Sequence, residues 1–445
     1  MAGTRLSGAV RPDFTTGANS LRAYSGVIAQ RMDLIIIGGG IGGLTLALAV
    51  HGAKAARRIR IFEAAPDLHA LGVGINLGPH AVKELSALGL QDALVAPGCA
   101  PQDYAFFTRQ GQLVYREPWG LAAGHQWPHL SLHRGDLHQV LLDAVRDRIG
   151  AENFITGHRC SAVEQDEAGV TAHFVSPDGA ALASETGDIL VACDGIHSTV
   201  RRQFHRNEGA FCYRGTNLWR GVTRGGPFLT GRSIARIGAR HSTLIIYPIR
   251  NNIDGEGRQL INWVAEIEQP VAVPVDWSKP GRLEDFYPTY QDWTFEWLDA
   301  ATMIGNADFV LSYPMVDRDP VDRWTFGRIT LLGDAAHPMY PQGGNGGAQA
   351  IIDAAILARA LKNGPDPAAA LKSYEVLRLQ TTSRIVLQNR SAPPNVIVDT
   401  VEQRTGGKPF HRLEDIITQA ELRNIFERYQ KVAGYHVDQV GRAPG

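Results

Sequence analysis

Cysteine is scarce in this chain. The four present, Cys99, Cys160, Cys193 and Cys212, are scattered. No Cys-x-x-Cys pair or zinc-ligand spacing links them, which argues against a disulfide framework or a zinc site and for a reducing, cytoplasmic setting. Charge imbalance is missing too. The net charge is −1, so nothing argues for nucleic acid or an anionic membrane surface as a partner. A membrane span is also lacking. The apolar stretch from Leu34 to Val50 runs 17 residues and carries five glycines, short of the roughly 20 that a crossing needs. The sequence has no internal repeat, no low-complexity tract, no Ser/His/Asp arrangement and no metal-ligand cluster.

What remains suits an enzyme. The 445 residues can bury a large core in two structural regions, and 48 glycines with 24 prolines suit many turns. Residues 1–31 stand apart: Arg5, Arg11, Arg22 and Arg31 face the single acid Asp13, with no apolar core of a secretory signal. They are expected to be a disordered leader, with an organelle-targeting peptide as the alternative.

The first strong signal spans residues 32 to 63. Leu34 to Ile37 form the continuous apolar run of a strand buried on both faces. Gly38, Gly40 and Gly43 then fit G-x-G-x-x-G, with Ile41 and Gly42 inside the turn. A helix pattern runs from Leu44 to about Ala53. A second strand, Ile59 to Phe62, ends on Glu63, 20 residues after Gly43. The glycines permit a tight turn, close approach of backbone to a pyrophosphate, and close helix–strand packing. The helix N-terminus offers free N–H groups and the positive end of its dipole. Glu63 is expected to accept hydrogen bonds from a ribose.

Further on, Ala65 to Gly78 reads as a loop whose Gly74 lets backbone pass close to a ligand. Arg134 opens a helix after the strand Leu130 to His133 and is placed to reach phosphate or flavin, with an ion pair to Asp136 as the alternative. The buried strand Ile189 to Ala192 ends in Asp194 and Gly195, and Ser198 is placed to cap the helix carrying Arg201. From Phe211 to Ile267 the pattern changes to several strands rich in aromatic and β-branched residues, an antiparallel sheet. Helices are expected at 281–288 and 292–302, and the chain is expected to return to the first domain through Phe309 to Ser312 and Arg328 to Leu332. The strand Ile329 to Leu332 ends in Gly333-Asp334. A loop of Pro341, Gly343, Gly344, Asn345, Gly346 and Gly347 then enters the helix from Ala348 to Leu361. Two amphipathic helices, Pro367 to Gln388 and Leu413 to Val432, close the chain.

Three motifs now stand in order: Gly38-x-Gly40-x-x-Gly43 with Glu63; Asp194-Gly195 with Ser198 and Arg201; and Gly333-Asp334 with the Pro341 to Gly347 loop. As a set they resemble the single-component FAD-dependent aromatic hydroxylases, the class that includes salicylate and hydroxybenzoate hydroxylases. The wording from Gly333 to Ala354, and Asn389 to Pro394, is similar to the branch acting on phenazine carboxylates. The resemblance implies an α/β fold: a Rossmann-like FAD-binding domain with an inserted antiparallel β-sheet substrate domain and C-terminal helices. The divisions are 32–208 and 309–364 for FAD, 209–308 for substrate, and 365–445 for the helical region.

It implies, further, that Gly38, Gly40, Ile41, Gly42, Gly43 and Glu63 hold the ADP half of FAD. Gly74, Arg134 and Asp334 contact the cofactor, Asp194 and Gly195 belong to a motif linked to both FAD and NAD(P)H, and the loop from Pro341 to Gly347 cradles the flavin ring. NADH or NADPH is a transient donor, in keeping with the lack of a second complete fingerprint. The implied reaction is NAD(P)H- and O2-dependent hydroxylation of a phenolic or carboxylated aromatic through a flavin C4a-hydroperoxide, by a monomer or homodimer. In the substrate sheet, His241 is expected as the base, with a surface histidine as its alternative. Trp219, Tyr247 and Pro341 are expected to line the pocket, and Arg220 to pair with a substrate carboxylate. A flavin oxidoreductase without oxygen insertion and a non-catalytic FAD-binding protein remain open alternatives.

Overall fold

A computed structural model of the protein describes residues 32–68, 72–274, 276, 279–364, 366–391, 393–394 and 396–442. The expected leader, 1–31, lies outside the described residues. A six-stranded sheet forms one centre, in the order Thr325–Phe326, Ile329–Leu331, Ile189–Ala192, Asp33–Ile37, Arg58–Phe62, Phe154–Ile155. Its pairs are parallel except at the Thr325–Phe326 edge. The central strands have no polar face because helix Ile41–Ala53 packs on one side and a three-stranded sheet, Arg159–Gln165, Val170–Val175 and Ala181–Gly187, packs on the other, so Leu34 to Ile37 and Ile189 to Ala192 are all buried. Helices Ile41–Ala53 and Asn345–Asn363 pack against each other over it. Their small residues allow this: Gly42 comes against Leu332 and Ala350.

A seven-stranded sheet forms the second centre, in the order Ala307–Asp317, Cys212–Gly225, Gln259–Glu268, Ser242–Arg250, Ser233–Ile237, Asp103–Phe107, Leu113–Pro118. The strands from 211 to 267 pair antiparallel with one another, as expected. The sheet then extends beyond them, with Ser233–Ile237 running parallel to Asp103–Phe107, which is contributed by the first part of the chain. Phe309 to Ser312 do not return to the first sheet; they lie in the edge strand Ala307–Asp317, paired to Cys212–Gly225. An apolar alternation identifies a strand but not the sheet it joins.

Residue parity decides what each strand shows. Arg236, Ile245, Val264, Arg220 and Leu311 are directly opposite one another on successive strands, so they form one row on one face. Tyr104, Ile234, Tyr247 and Asn262 form a neighbouring row. The other face carries Trp219, Trp263, Leu244 and Ile246, buried under Phe286, Tyr290 and Trp293. The segment supplying those aromatics was expected as two helices. It instead forms short 3-10 turns at Leu283–Asp285 and Tyr287–Thr289, and a helix only over Ala300–Gly305. Pro280 and Pro288 interrupt the backbone ladder, and Asp299 caps the late start by accepting from Thr302 N at 2.9 Å.

Among the described residues the C-terminal region holds four helices rather than two: Pro367–Ser391, Val396–Thr405, Gln419–Ala433 and the single turn Val437–Val440. Among the described residues no helix is long and apolar enough to cross a membrane.

Candidate active site

The two sheets enclose a cavity of about 640 Å³, within the size range of small-molecule and cofactor sites. The glycine loops form one wall. Gly38 has φ +103°, and an added Cβ would lie 2.4 Å from the Cys193 carbonyl oxygen; at Gly43 it would lie 2.0 Å from the Gly38 carbonyl oxygen. These two glycines let the first turn close on itself and do not line the cavity. Gly40 has open space where a Cβ would point. With Ile41 and Gly42 it faces the cavity at the start of helix Ile41–Ala53. Glu63 stands behind the turn, accepting from Gly39 N at 2.7 Å and Ala65 N at 2.8 Å. It therefore fixes the loop directly.

Asp194 and Gly195 line the same cavity. Asp194 Oδ2 accepts from Thr199 N at 2.8 Å, while Oδ1 is buried without a partner. Burial pushes this carboxyl up, as an acceptor awaiting a donor would require. Ser198 caps the following helix as expected, accepting from Arg201 N at 2.9 Å. Arg201 is buried, pairs with Glu208, and donates to the carbonyls of Ala335 and Ala336 at 3.1 and 2.7 Å. It ties the second motif to the third.

In the third motif Asp334 faces the cavity with its side chain open to it. Burial pushes its carboxyl up, opposed by His337 and Arg134. Arg134 lines the cavity and its guanidinium is lowered by burial, with Asp334 opposing. The expected alternative for Arg134 does not form: Asp136 is held by Arg250, with Nε–Oδ2 at 2.8 Å. His337 braces the turn, its Nε2 lying 2.6 Å from Asp353 Oδ2. Gly343 and Gly344 adopt φ +77° and +66°, and a Cβ on Gly343 would overlap the Tyr429 hydroxyl. Pro341, Gly343, Gly344, Gly346 and Gly347 line the cavity. Asn345 does not: its side chain is buried and donates to Tyr429 Oη at 2.9 Å. Tyr429 in turn donates to Asn389 Oδ1 at 2.8 Å, so the C-terminal helices brace this loop.

These features fit FAD. An orphaned buried acceptor at Asp194, an open helix start at Gly40, and glycine backbone on both sides are what a diphosphate and a polyhydroxylated chain require. FAD would be held by Gly40 to Gly42, Asp194 and Asp334, with its ring against the Pro341 to Gly347 loop.

The opposite wall is the face of the seven-stranded sheet. Tyr247 and Arg220 lie on it, as expected. Arg220 donates to Tyr313 Oη at 3.0 Å and to the Gly74 carbonyl at 2.5 Å, while its Nε is buried without a partner. Burial opposes its charge, but Tyr313 and Tyr247 more than offset this and hold it above its ordinary value. Gly74 lines the cavity too, in a short strand, Gly74–Leu77, where a loop was expected. A Cβ there would meet the Tyr247 ring and Asn262.

Two expectations fail here. Trp219 does not line the pocket. It is one residue out of step with Arg220, so it points to the other face and stacks on Phe286 at 5.2 Å. His241 is not near the cavity. It sits in the turn before strand Ser242–Arg250, its side chain 85% exposed and paired with Glu268. Turns precede strands at the sheet margin, away from the enclosed face. The His241→Ala variant is therefore expected to keep its FAD and its turnover, measured by product formation. A fall in turnover with FAD retained would contradict this placement.

Sequence reading missed Tyr104, Trp119, His129, Arg236, Glu266 and Tyr313, all on the cavity wall. The available signal was parity: Arg236 and Glu266 are charged residues set in otherwise apolar strands, at the step that shares a face with Arg220.

A two-loop dinucleotide cradle facing an aromatic and cationic sheet defines an FAD-dependent aromatic monooxygenase, an enzyme that uses NAD(P)H and O2. The chain belongs to the FAD binding domain family, which it matches over residues 31–218 and 309–389. It is 41% identical over 386 residues to phenazine 1,6-dicarboxylic acid hydroxylase of Lysobacter antibioticus, covering 86% of this chain and 93% of that one. It is 30% identical to 3-hydroxybenzoate 6-hydroxylase of Polaromonas naphthalenivorans, covering 81% and 86%. In fold it is similar to a salicylate hydroxylase substrate complex, with TM-score 0.68 and 22% identity over 91% of this chain and 98% of that one.

Proposed function

We propose that this chain hydroxylates a flat, carboxylated heteroaromatic of the phenazine class, in the cytoplasm. The cross-strand row Arg236, Ile245, Val264, Arg220 carries the proposal. It offers an apolar bed with a cation at each end. Bound FAD, reduced by NAD(P)H, supplies the electrons and the activation of oxygen that side chains lack. The chain's own residues place the ring and keep water out. Ile245 and Val264 contact the flat face of the substrate. Arg220, with no carboxylate partner among the described residues, attracts a substrate carboxylate or phenolate beside the flavin loop. Tyr313 and the Gly74 carbonyl hold its guanidinium in place. Tyr247 supplies a hydroxyl next to Arg220. The relative from Lysobacter supports the ring class, and four free cysteines suit a reducing compartment.

The test is Arg220→Met, which keeps length and removes charge. Its KM for phenazine-1-carboxylate is expected to rise by roughly tenfold or more, the scale of a lost charged hydrogen bond, with FAD retained. An unchanged KM would remove Arg220 from substrate recognition.

A further inference from the structure

The sheet wall of the cavity carries a single acid among the described residues, Glu266; the other acids that line the cavity, Asp194 and Asp334, belong to the cofactor wall. Strand pairing sets its position. Arg220 lies opposite Val264, and Leu218 lies opposite Glu266. The four form a square on one face, and all of them line the cavity. Arg220 and Glu266 stand at diagonal corners, about 7–8 Å apart at Cα. Leu218 and Val264, at the other corners, give an apolar bed the width of one aromatic ring.

Glu266 is buried, and its Oε2 accepts from Arg236 Nη2 at 2.9 Å. Gln342, within the Pro341 to Gly347 loop, acts on the same carboxyl. Glu266 therefore stands beside the loop that faces the flavin ring, where His241 does not. Its charged and titratable neighbours come from several elements. Arg236 is one, with Tyr104 beside it on the adjoining strand. Asp399, on helix Val396–Thr405, adds a like charge. Tyr290 donates to the Glu266 backbone carbonyl at 2.9 Å. Burial pushes the carboxyl up, and Arg236 and Gln342 oppose this. A carboxylate drawn toward neutral pH accepts protons better than an exposed one. Burial also pushes up the phenols of Tyr104 and Tyr247, which are not bases near neutrality.

From this geometry we infer that Glu266 is the catalytic base, taking the proton of a hydroxyl on the substrate ring whose carboxylate lies at Arg220. The inference rests on the proposed aromatic carboxylate reading and deepens it. The ring O–H bond breaks as the carboxylate takes the proton. The electron pair left on that oxygen feeds the neighbouring ring carbon as it gains oxygen from O2. The carboxyl returns its proton to the ring oxygen when that carbon gives up its own hydrogen to water as a proton, so Glu266 ends as it began. The diagonal placement of Arg220 and Glu266 puts carboxyl and hydroxyl at opposite positions of one ring.

The test compares 4-hydroxyphenazine-1-carboxylate with its 4-methoxy ether, which lacks the proton, on the FAD-loaded protein. The native protein is expected to hydroxylate the first with a kcat roughly a hundredfold higher, falling as pH drops through the raised range of the Glu266 carboxyl. This comparison needs no variant to fold. Glu266→Gln keeps the size and a carbonyl acceptor. It is expected to lower kcat on the hydroxy compound by about a hundredfold or more and to lose the acid limb, with KM and FAD content held. Its rate should instead climb with pH as the substrate ionises in solution. Equal rates on the two compounds in the native protein, or an unchanged kcat and acid limb in the variant, would overturn the inference and leave the broader reading standing. Failure of the broader reading looks different: neither compound, nor phenazine-1-carboxylate, would yield a hydroxylated product, and the inference would fall with it.

Discussion

Replacing Gly43 with alanine is expected to yield protein without FAD. The added Cβ would lie 2.0 Å from the Gly38 carbonyl oxygen. That oxygen belongs to backbone and cannot swing aside as a side chain does. Gly38 is itself pinned, by φ +103°, by contact with Cys193, and by its N–H donating to Phe62 O at 2.8 Å. Relief therefore requires helix Ile41–Ala53 to move off the sheet. That movement displaces the helix N-terminus from the phosphate position and unpacks Leu44 and Leu48 from the core. Overpacking of this kind costs about 1–3 kcal/mol or more. Purified Gly43→Ala protein should lack the yellow flavin colour and should not recover it on adding FAD. A yellow variant would show that the turn is not where the ADP half sits. Gly40→Ala makes an informative contrast. Its Cβ meets nothing within 4 Å, so the fold should survive while FAD affinity falls.

The second large effect lies under the flavin loop. Asp353 is fully buried and accepts from Arg378 Nε at 2.6 Å and Gly333 N at 3.2 Å, and its Oδ2 lies 2.6 Å from His337 Nε2. Arg378 also donates to Gln349 at 2.5 Å. One carboxylate thus holds helix Pro367–Ser391, helix Asn345–Asn363 and the Gly333 turn together. Asp353→Leu leaves the Arg378 charge buried and unpaired, which costs about 3–5 kcal/mol. It also frees His337 and with it the Asp334 turn. The expected outcome is a large drop in the denaturation midpoint together with FAD loss. An Asp353→Leu protein of native stability would show that the cluster is dispensable.

The same cluster fixes a pH dependence. Burial alone would raise the Asp353 carboxyl, but His337 and Arg378 outweigh it and hold it at about 2. An unfolded aspartate titrates near about 3.9. A depressed folded value means that the contribution is fully present above about pH 4 and is lost as pH falls toward about 2. The difference is worth roughly 2–3 kcal/mol. Denaturant midpoints of the FAD-loaded protein should be level for this term near neutrality and fall through that acid window. Asp353→Asn should show a shallower fall there.

Much of the cofactor half was legible in the sequence because its chemistry is local. A strand, a glycine turn and a helix start lie within a few residues of one another, and Gly38 to Gly43, Asp194 and Asp334 all sit at the strand ends expected of them. The substrate half was less legible because it is built by pairing across strands. Arg236 faces the cavity beside residues from strands contributed by 103–107 and 242–268, and periodicity alone does not give register. Trp219 shows the cost: a one-residue shift in parity moves a side chain from the cavity to the packed reverse face. His241 failed because a histidine before a strand looks the same whether its turn is at the rim or in the site. Asn389 and Tyr429 were missed because their helices look amphipathic and ordinary. Their function as braces for the Pro341 to Gly347 loop depends on contacts to residues tens of positions away.

One oxygen atom of O2 is expected to enter an aromatic ring held between the Pro341 to Gly347 loop and the sheet face bearing Arg220 and Tyr247. The direct measurement is turnover of the FAD-loaded protein with NAD(P)H and a phenazine carboxylate under isotopically labelled O2, followed by mass analysis of the product. The product is expected to carry a single labelled oxygen and to form in step with NAD(P)H consumed. NAD(P)H oxidation that yields only reduced oxygen species, with no label in any aromatic product, would contradict it.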